Sequence, residues 1–362
     1  ATKNKNIDLI IELIGGAEGP AKKLVFEALK NKKHVVTANK ALIAKYGDAL
    51  SKIAEKNSVN LEFEAAVCGG VPIIRSLKEG LIANKISKIY GIFNGTSNYI
   101  LSSMDKQNKS FKEVLDNAKK LGYAESNPSA DLNGDDVSSK LKILSSLCFN
   151  SFLNDNIYVE GIKDIDKIDI DNANNLGFKI KLLGFAELMN NKIYQRVHPT
   201  LIKKDSYVAS IDGVLNAVIV DGKPIGQTVI QGEGAGPTAT TSALISDISS
   251  ILRGNIKFPF SISSKERNKL KFENIDDRTF SAYLRFEVID KPGVLSNITN
   301  IFSKNKVSIK RLIQNPDKNK KSSSIIVITH KSKDRFLKKI IKEVSKKKYI
   351  KKKPKLIRID NG

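Results

Sequence analysis

The sequence predicts an α/β chain in three units, and three observations point to this. Short apolar runs alternate with helix-length amphipathic ones over residues 1–90, the pattern turns mixed over 86–232, and a strictly alternating stretch at 283–289 opens a β-α-β-β-α-β order. The divisions fall at 1–63, 64–252 and 281–362, with a polar, lysine-rich linker at 253–280.

In the first unit, residues 7–13 read as a buried strand, 19–30 as a helix, 34–37 as a strand, 40–56 as a helix and 60–67 as a third strand. A doubly wound sheet of this kind ordinarily opens with a strand and a glycine-rich turn that seats a pyrophosphate on a helix N-terminus. Gly15-Gly16 follows the first strand here but lacks the G-x-G-x-x-G spacing, and the chain opens on Ala1. The expectation is an incomplete Rossmann-type unit whose first strand, glycine loop and helix are missing.

The second unit reads as α+β, with strands in ISKIYGIFNG, IYVEGI, KIYQRV and NAVIVDG and helices over 111–122 and 135–149. In the third, Leu284, Phe286 and Val288 alternate with Tyr283, Arg285 and Glu287, which places them on opposite faces of a strand. DKPGVL then turns into a helix over 293–303, followed by strands over 307–313 and 324–329, a helix over 334–344 and a strand over 356–359.

Composition narrows the function classes. Hydrophobic residues at 41% and charged residues at 27% are ordinary globular values. No apolar run approaches the roughly 18 to 20 residues of a bilayer span, and the first residues lack a signal-peptide layout, so a cytoplasmic protein without a membrane partner is expected. Two cysteines and three histidines offer neither a disulfide framework nor zinc-ligand spacing. The formal charge of +23 is spread along the chain, and its dense run at 346–355 lacks interleaved aromatics beyond Tyr349, so no nucleic-acid partner is expected.

Polar residues concentrate in AKKLGYAESNPSADLNGDDVSSKLKIL, which holds Glu125, Asp131, Asp136 and Lys140. Asn133 or Gly134 can start a helix whose first turn carries Asp135 and Asp136 at the positive end of the dipole. Asp136 and Lys140 stand at i and i+4, on one face, beside Ile143 and Leu147, and a partly buried pair follows. A desolvated lysine oriented by a carboxylate can protonate or stabilise an oxygen that gains charge, and Glu125 adds a carboxylate suited to an ammonium group. Most pairs at this spacing are solvated helix ion pairs of a few tenths of a kcal/mol, so spacing alone does not decide for catalysis.

The run A-x3-G-Y-A-x3-P-x2-D-L-x-G-x-D-x3-K, from Ala118 to Lys140, matches at every fixed position the identifying motif of homoserine dehydrogenases. VVTANKALIA, EAAVCGGVPII, GIFNGTSNYIL and GEGAGPTAT agree with it, and the third unit resembles a ferredoxin-like ACT domain. The resemblance implies reversible conversion of L-aspartate 4-semialdehyde to L-homoserine with NADP or NAD. It further implies Lys140, Asp136 and Lys40 as catalytic residues, and Glu125, Asp131 and Asp136 as substrate ligands. Gly15, Gly16, Thr37, Lys40, Asn94, Gly122, Gly234 and Gly236 correspond to the cofactor surface. Glu64, Val67, Gly69 and Val71 correspond to a sodium site present in some members, built mostly from backbone carbonyls.

Asp290, Gly293 and Asn297 are the expected contacts of an amino-acid effector, with L-threonine the natural one, and a homodimer or homotetramer is expected. Each residue has a plainer reading: Lys40 as a surface lysine, the glycines as turn formers, DKPG as a tight turn. Cys68 reads as a small buried residue rather than a nucleophile, and His34, His198 and His330 as structural. A catalytically impaired amino-acid sensor that has lost its cofactor loop is the competing reading, against which Glu125, Asp136 and Lys140 weigh.

Overall fold

A computed structural model describes residues 1–152, 157–254, 257–317 and 322–360. Strands Leu9–Glu12, His34–Thr37 and Leu61–Glu62 lie side by side in sequence order, all parallel. Helix Pro20–Lys30 starts on a proline whose missing N–H costs nothing in the first turn, and it buries Ala21, Val25, Ala28 and Leu29. Helix Lys40–Asn57 is capped by Asn39, whose side chain accepts from the Leu42 N–H at 3.0 Å. The expected strand at 60–67 is shorter than its apolar pattern suggested. After Glu62 the chain coils into the turn Glu64–Ala66, because the Glu64 carboxylate accepts the backbone N–H groups of Ile74 at 2.9 Å and Arg75 at 2.7 Å.

The two remaining units share one sheet of twelve strands among the described residues. Its main path runs Ile309–Asp317, Ser322–Thr329, Thr279–Ile289, Lys355–Asp360, Lys192–Lys203, Phe178–Met189, Lys85–Ile92, Leu215–Lys223 and Gly226–Glu233. The join is parallel: Arg358 stands opposite Thr200, Ile359 opposite Leu201 and Asp360 opposite Ile202. Helices Gly95–Gln107, Asp135–Phe149 and Lys167–Asn175 pack on the middle strands, with Val137, Leu141, Leu144, Ile100 and Ile170 in the core they share.

In the C-terminal part, helices Val294–Lys304 and Asp334–Ser345 cover the face that carries Leu284, Phe286, Val288, Ile325 and Val327. The opposite face, which carries Tyr283 and Arg285, packs against the middle unit. Both are buried, the Tyr283 hydroxyl donating to Asp169 at 3.1 Å and the Arg285 guanidinium to Asp169 at 2.7 Å and Asp166 at 3.0 Å. The segment expected as a linker is also packed. Phe260 is buried with its ring 5.2 Å from that of Phe63, Lys271–Phe272 runs parallel to Lys192 and Ile193, and Ile275 is buried.

One charge pair within this architecture is almost wholly out of water. Arg358 Nε donates to Asp334 Oδ1 at 2.6 Å and Nη2 to Oδ2 at 3.0 Å, with side-chain exposures of 1% and 0%. Removing one partner of such a pair strands the other charge. Asp334→Ala is expected to cost about 3–5 kcal/mol in urea unfolding, and adding Arg358→Met to recover most of that loss.

Candidate active site

Two helices meet at an elbow, and the elbow builds the site. Gly134, at φ 89°, ends helix Ser129–Asn133 and caps helix Asp135–Phe149. A Cβ there would stand 3.1 Å from Val159 Cγ1 and 3.2 Å from Val197 Cγ1 in a left-handed backbone, so glycine alone fits. The elbow delivers Asp131 from one helix and Asp136 from the first turn of the next. Lys140 follows one turn later, its Nζ 2.8 Å from Asp136 Oδ2 and donating to the Phe93 carbonyl at 2.7 Å.

Two more segments close the cluster. Lys40, first residue of its helix, places Nζ 2.9 Å from Asp136 Oδ1. Asn94 spends both amide hydrogens on the carboxylates, reaching Asp131 Oδ1 at 2.7 Å and Asp136 Oδ2 at 2.8 Å. Its Oδ1 accepts from the Ser97 N–H at 2.7 Å and so caps helix Gly95–Gln107. The sequence placed Asn94 only on the cofactor surface; its cross-linking of two carboxylates depends on a contact 42 residues away.

The electrostatics follow from burial and pairing. Burial pushes the Asp136 carboxyl up, but Lys140 and Lys40 overcome it and hold the group well below the usual carboxylate range. Burial pushes Lys140 down, and the Asp136 charge reverses this, leaving it above the ordinary lysine range. Asp131 lies above its ordinary value because burial outweighs the Asn94 hydrogen bond. Lys140 is 8% exposed whereas the Lys40 side chain is 44% exposed, so Asp136 joins a buried ammonium to one that meets solvent. Glu125 stands apart, exposed in the turn before helix Ser129–Asn133 and without a side-chain partner among the described residues.

Three of the residues expected on a cofactor surface gather near a carboxylate that the sequence reading missed. Buried Glu12 accepts the N–H groups of Ile14 at 2.8 Å and Gly15 at 3.0 Å, and the Thr37 hydroxyl at 2.6 Å. The Asn39 amide donates to the Gly16 carbonyl at 2.7 Å, so Gly15, Gly16 and Thr37 form one braced turn with open space where side chains would project from both glycines. Gly234 and Gly236 precede helix Pro237–Leu252, with Gly234 backed onto the amide of fully buried Asn216, a second residue without any signal in the sequence pattern. Gly122 lies in an exposed turn with open space beside it.

Glu64, Val67, Gly69 and Val71 share the tight turn after the third parallel strand, with the Glu64 carboxylate committed to backbone N–H groups. Asp290, Gly293 and Asn297 are exposed at the start of helix Val294–Lys304, where the Asn297 amide donates to the Gly293 carbonyl at 2.9 Å. Cys68 is buried and its thiol pushed up by burial, and buried His198 is pushed well down, both suited to structural roles.

Residues 72–249 match the homoserine dehydrogenase family model, 1–64 the NAD-binding domain of homoserine dehydrogenase, and 284–352 the AHAS small subunit-like ACT domain. The Neisseria gonorrhoeae homoserine dehydrogenase is 41% identical over 344 residues, which are 93% of this chain and 79% of the relative. The chain belongs to the homoserine dehydrogenase family. Its likeness extends to the fold: the crystal structure of the Thiobacillus denitrificans homoserine dehydrogenase superposes with a TM-score of 0.90 at 39% identity, over 98% of this chain and 82% of that one. A hyperthermophilic archaeal homoserine dehydrogenase in complex with NADPH gives a TM-score of 0.61 at 26% identity over 69% and 73%. As a homoserine dehydrogenase this chain is an oxidoreductase that interconverts L-aspartate 4-semialdehyde and L-homoserine.

Charge-assisted hydrogen bonds are roughly twice as strong as neutral ones, so the Glu12 charge sets how firmly the Gly15 turn is held. Glu12→Gln is expected to raise KM for the nicotinamide coenzyme on the order of tenfold, with KM for homoserine less affected, in steady-state assays.

Proposed function

We propose that Lys140 is the acid–base residue of the homoserine dehydrogenase reaction, with Asp136 and Asp131 binding the substrate ammonium group and Lys40 completing the site. One observation carries this reading: two of the three N–H donors of the buried Lys140 ammonium are spent on Asp136 and Phe93, which leaves one for a substrate oxygen. A bound nicotinamide coenzyme, NADP or NAD, supplies or removes the hydride. The glycine turn braced by Glu12 and the open approach at Gly236 fit such a coenzyme, and the archaeal relative bound to NADPH supports the phosphorylated form.

Lys140 stabilises negative charge as it develops on the substrate oxygen and passes it a proton during aldehyde reduction. Asp136 orients that ammonium, and through its other oxygen it holds Lys40 at the solvent side. Glu125 would join the substrate ammonium only from its exposed turn, and so ranks as the lesser carboxylate. The hard carbonyl oxygens of Glu64, Val67, Gly69 and Val71 suit sodium. Among the described residues no cluster of three or more His, Cys, Asp or Glu side chains could hold a metal, so an ion at that turn would rest mostly on backbone oxygens.

L-threonine binding at Asp290, Gly293 and Asn297 is the regulatory part of the proposal, and the ACT domain match at 284–352 supports an amino-acid effector. Assembly into a homodimer or homotetramer is supported by strand Gly226–Glu233, which ends the sheet path with a half-exposed face. No helix among the described residues is long and apolar enough to cross a membrane.

Lys140→Ala is expected to lower kcat by about 10²–10⁴-fold in both directions. Reduction needs the ammonium form, which its raised pKa preserves, so the wild-type reduction rate should stay level from neutrality to about pH 10. Oxidation needs Lys140 to accept a proton and should climb about tenfold per pH unit over that range. A pH profile of homoserine oxidation that keeps this slope in Lys140→Ala would assign the proton to another group.

A further inference from the structure

The elbow that presents Asp131 and Asp136 does not stand alone. Its backbone rests on the segment 158–162, which nothing in the catalytic motif identifies. The Ile162 N–H donates to the Leu132 carbonyl at 2.9 Å, and the Glu160 N–H to the Val197 carbonyl at 2.8 Å. Between them, Gly161 lies so close to the elbow that a Cβ there would stand 2.0 Å from the Leu132 carbonyl oxygen and 2.6 Å from Asn133 Cα. Both neighbours are backbone, so neither can turn aside as a side chain would. Leu132 directly follows Asp131, and Gly134 directly precedes the helix that carries Asp136 and Lys140.

The same segment is gripped from its other side by the C-terminal domain. Arg358 Nη1 donates to Glu160 Oε2 at 3.2 Å and Nη2 to the Tyr158 hydroxyl at 3.2 Å, while the Tyr158 hydroxyl donates to Glu160 Oε2 at 3.2 Å. The guanidinium sits 4.8 Å from the Tyr158 ring centroid, and Asp334 fixes its Nε edge. Arg358 therefore ties the C-terminal domain to residues one and three positions away from the glycine that supports the catalytic elbow.

We propose that Gly161 is a positioning residue for the two substrate carboxylates, and that Tyr158 and Glu160 let Arg358 of the C-terminal domain hold it in place. The inference rests on the reading of Asp131 and Asp136 as substrate ligands given above. It assigns to the C-terminal domain a constant share in building the active site, separate from any effector it binds. A displacement of the elbow moves Asp131 relative to Asp136 and Lys140 directly, whereas the coenzyme turn at Gly15 and Gly16 lies on a different unit, braced by its own Glu12 and joined to the elbow only through the half-exposed Lys40.

The test is a KM and kcat comparison for homoserine and for the coenzyme, measured on the full chain. An error of about 1 Å at a reacting geometry costs on the order of 10² in rate, so Gly161→Ala is expected to lose about that in kcat/KM for homoserine while KM for the coenzyme stays within about twofold. Tyr158→Phe with Glu160→Ala, which removes both oxygen acceptors that Arg358 grips without adding bulk, is expected to raise KM for homoserine severalfold and to leave the coenzyme KM within about twofold. Unchanged homoserine kinetics in a folded Gly161→Ala protein overturn the proposal, as do equal losses for homoserine and coenzyme.

Where Gly161→Ala does not fold, the Tyr158 and Glu160 double variant decides by the same split. Asp131→Asn run alongside separates the two readings. If it spares homoserine binding, the assignment of the carboxylates fails; if it impairs binding while Gly161→Ala does not, only the positioning role fails.

Discussion

The Asp136 carboxylate is the point on which the site depends. Taking a carboxylate out of water is costly, and the cost is met here by two ammonium groups and one amide hydrogen, each from a different segment: Lys140 from the same helix, Lys40 from the nucleotide-domain unit and Asn94 from a strand-to-helix junction. Two of these partners are held in turn by their own surroundings. Lys140 is anchored by the Phe93 carbonyl, and Asn94 by its cap on helix Gly95–Gln107. The buried charge is therefore a junction between two units as well as a chemical group, and the geometry of the site cannot be separated from the way those units are packed together.

The amide of Asn94 solves a second problem. Asp131 and Asp136 both face the site, and two carboxylates in a desolvated space repel each other. By donating one hydrogen to each, Asn94 lets them share a small volume while Asp131 keeps its second oxygen without a partner among the described residues. Burial still lifts Asp131 above its ordinary value while Asp136 is held down by its lysines, so the two carboxylates are not equivalent. A substrate ammonium group placed between them would add the positive charge that Asp131 lacks.

How much of this could be read from the chain alone depends on the range of each contact. Asp136 and Lys140 were legible because one helical turn joins them, and the helix Asp135–Phe149 matches its predicted bounds. The strands and helices of the first unit also emerged, because their apolar periods are local. Glu12 and Asn216 carried no such signal: each is a lone polar residue beside an apolar run, and its meaning comes from loops brought to it by the fold. The strand expected over 60–67 was cut short by a carboxylate accepting backbone N–H groups ten and eleven residues on. The partner of Tyr283 and Arg285 was illegible for the same reason, since Asp169 lies more than a hundred positions away.

The continuity of the sheet was likewise invisible, because it rests on the pairing of Arg358 with Thr200. That pairing constrains how the C-terminal domain can influence the reaction. Swinging it away as a rigid body would break the parallel ladder and expose Arg285 and Arg358, both buried and paired to carboxylates across the junction. Losing the ladder hydrogen bonds, at roughly 0.5–1.5 kcal/mol each, together with both ion pairs across the junction costs more than the 1–3 kcal/mol at which allosteric coupling usually operates. Coupling in this fold is accordingly confined to small shifts within an intact sheet. The segment between Arg358 and the Gly134 elbow is short enough for such a shift to reach Asp131 and Asp136.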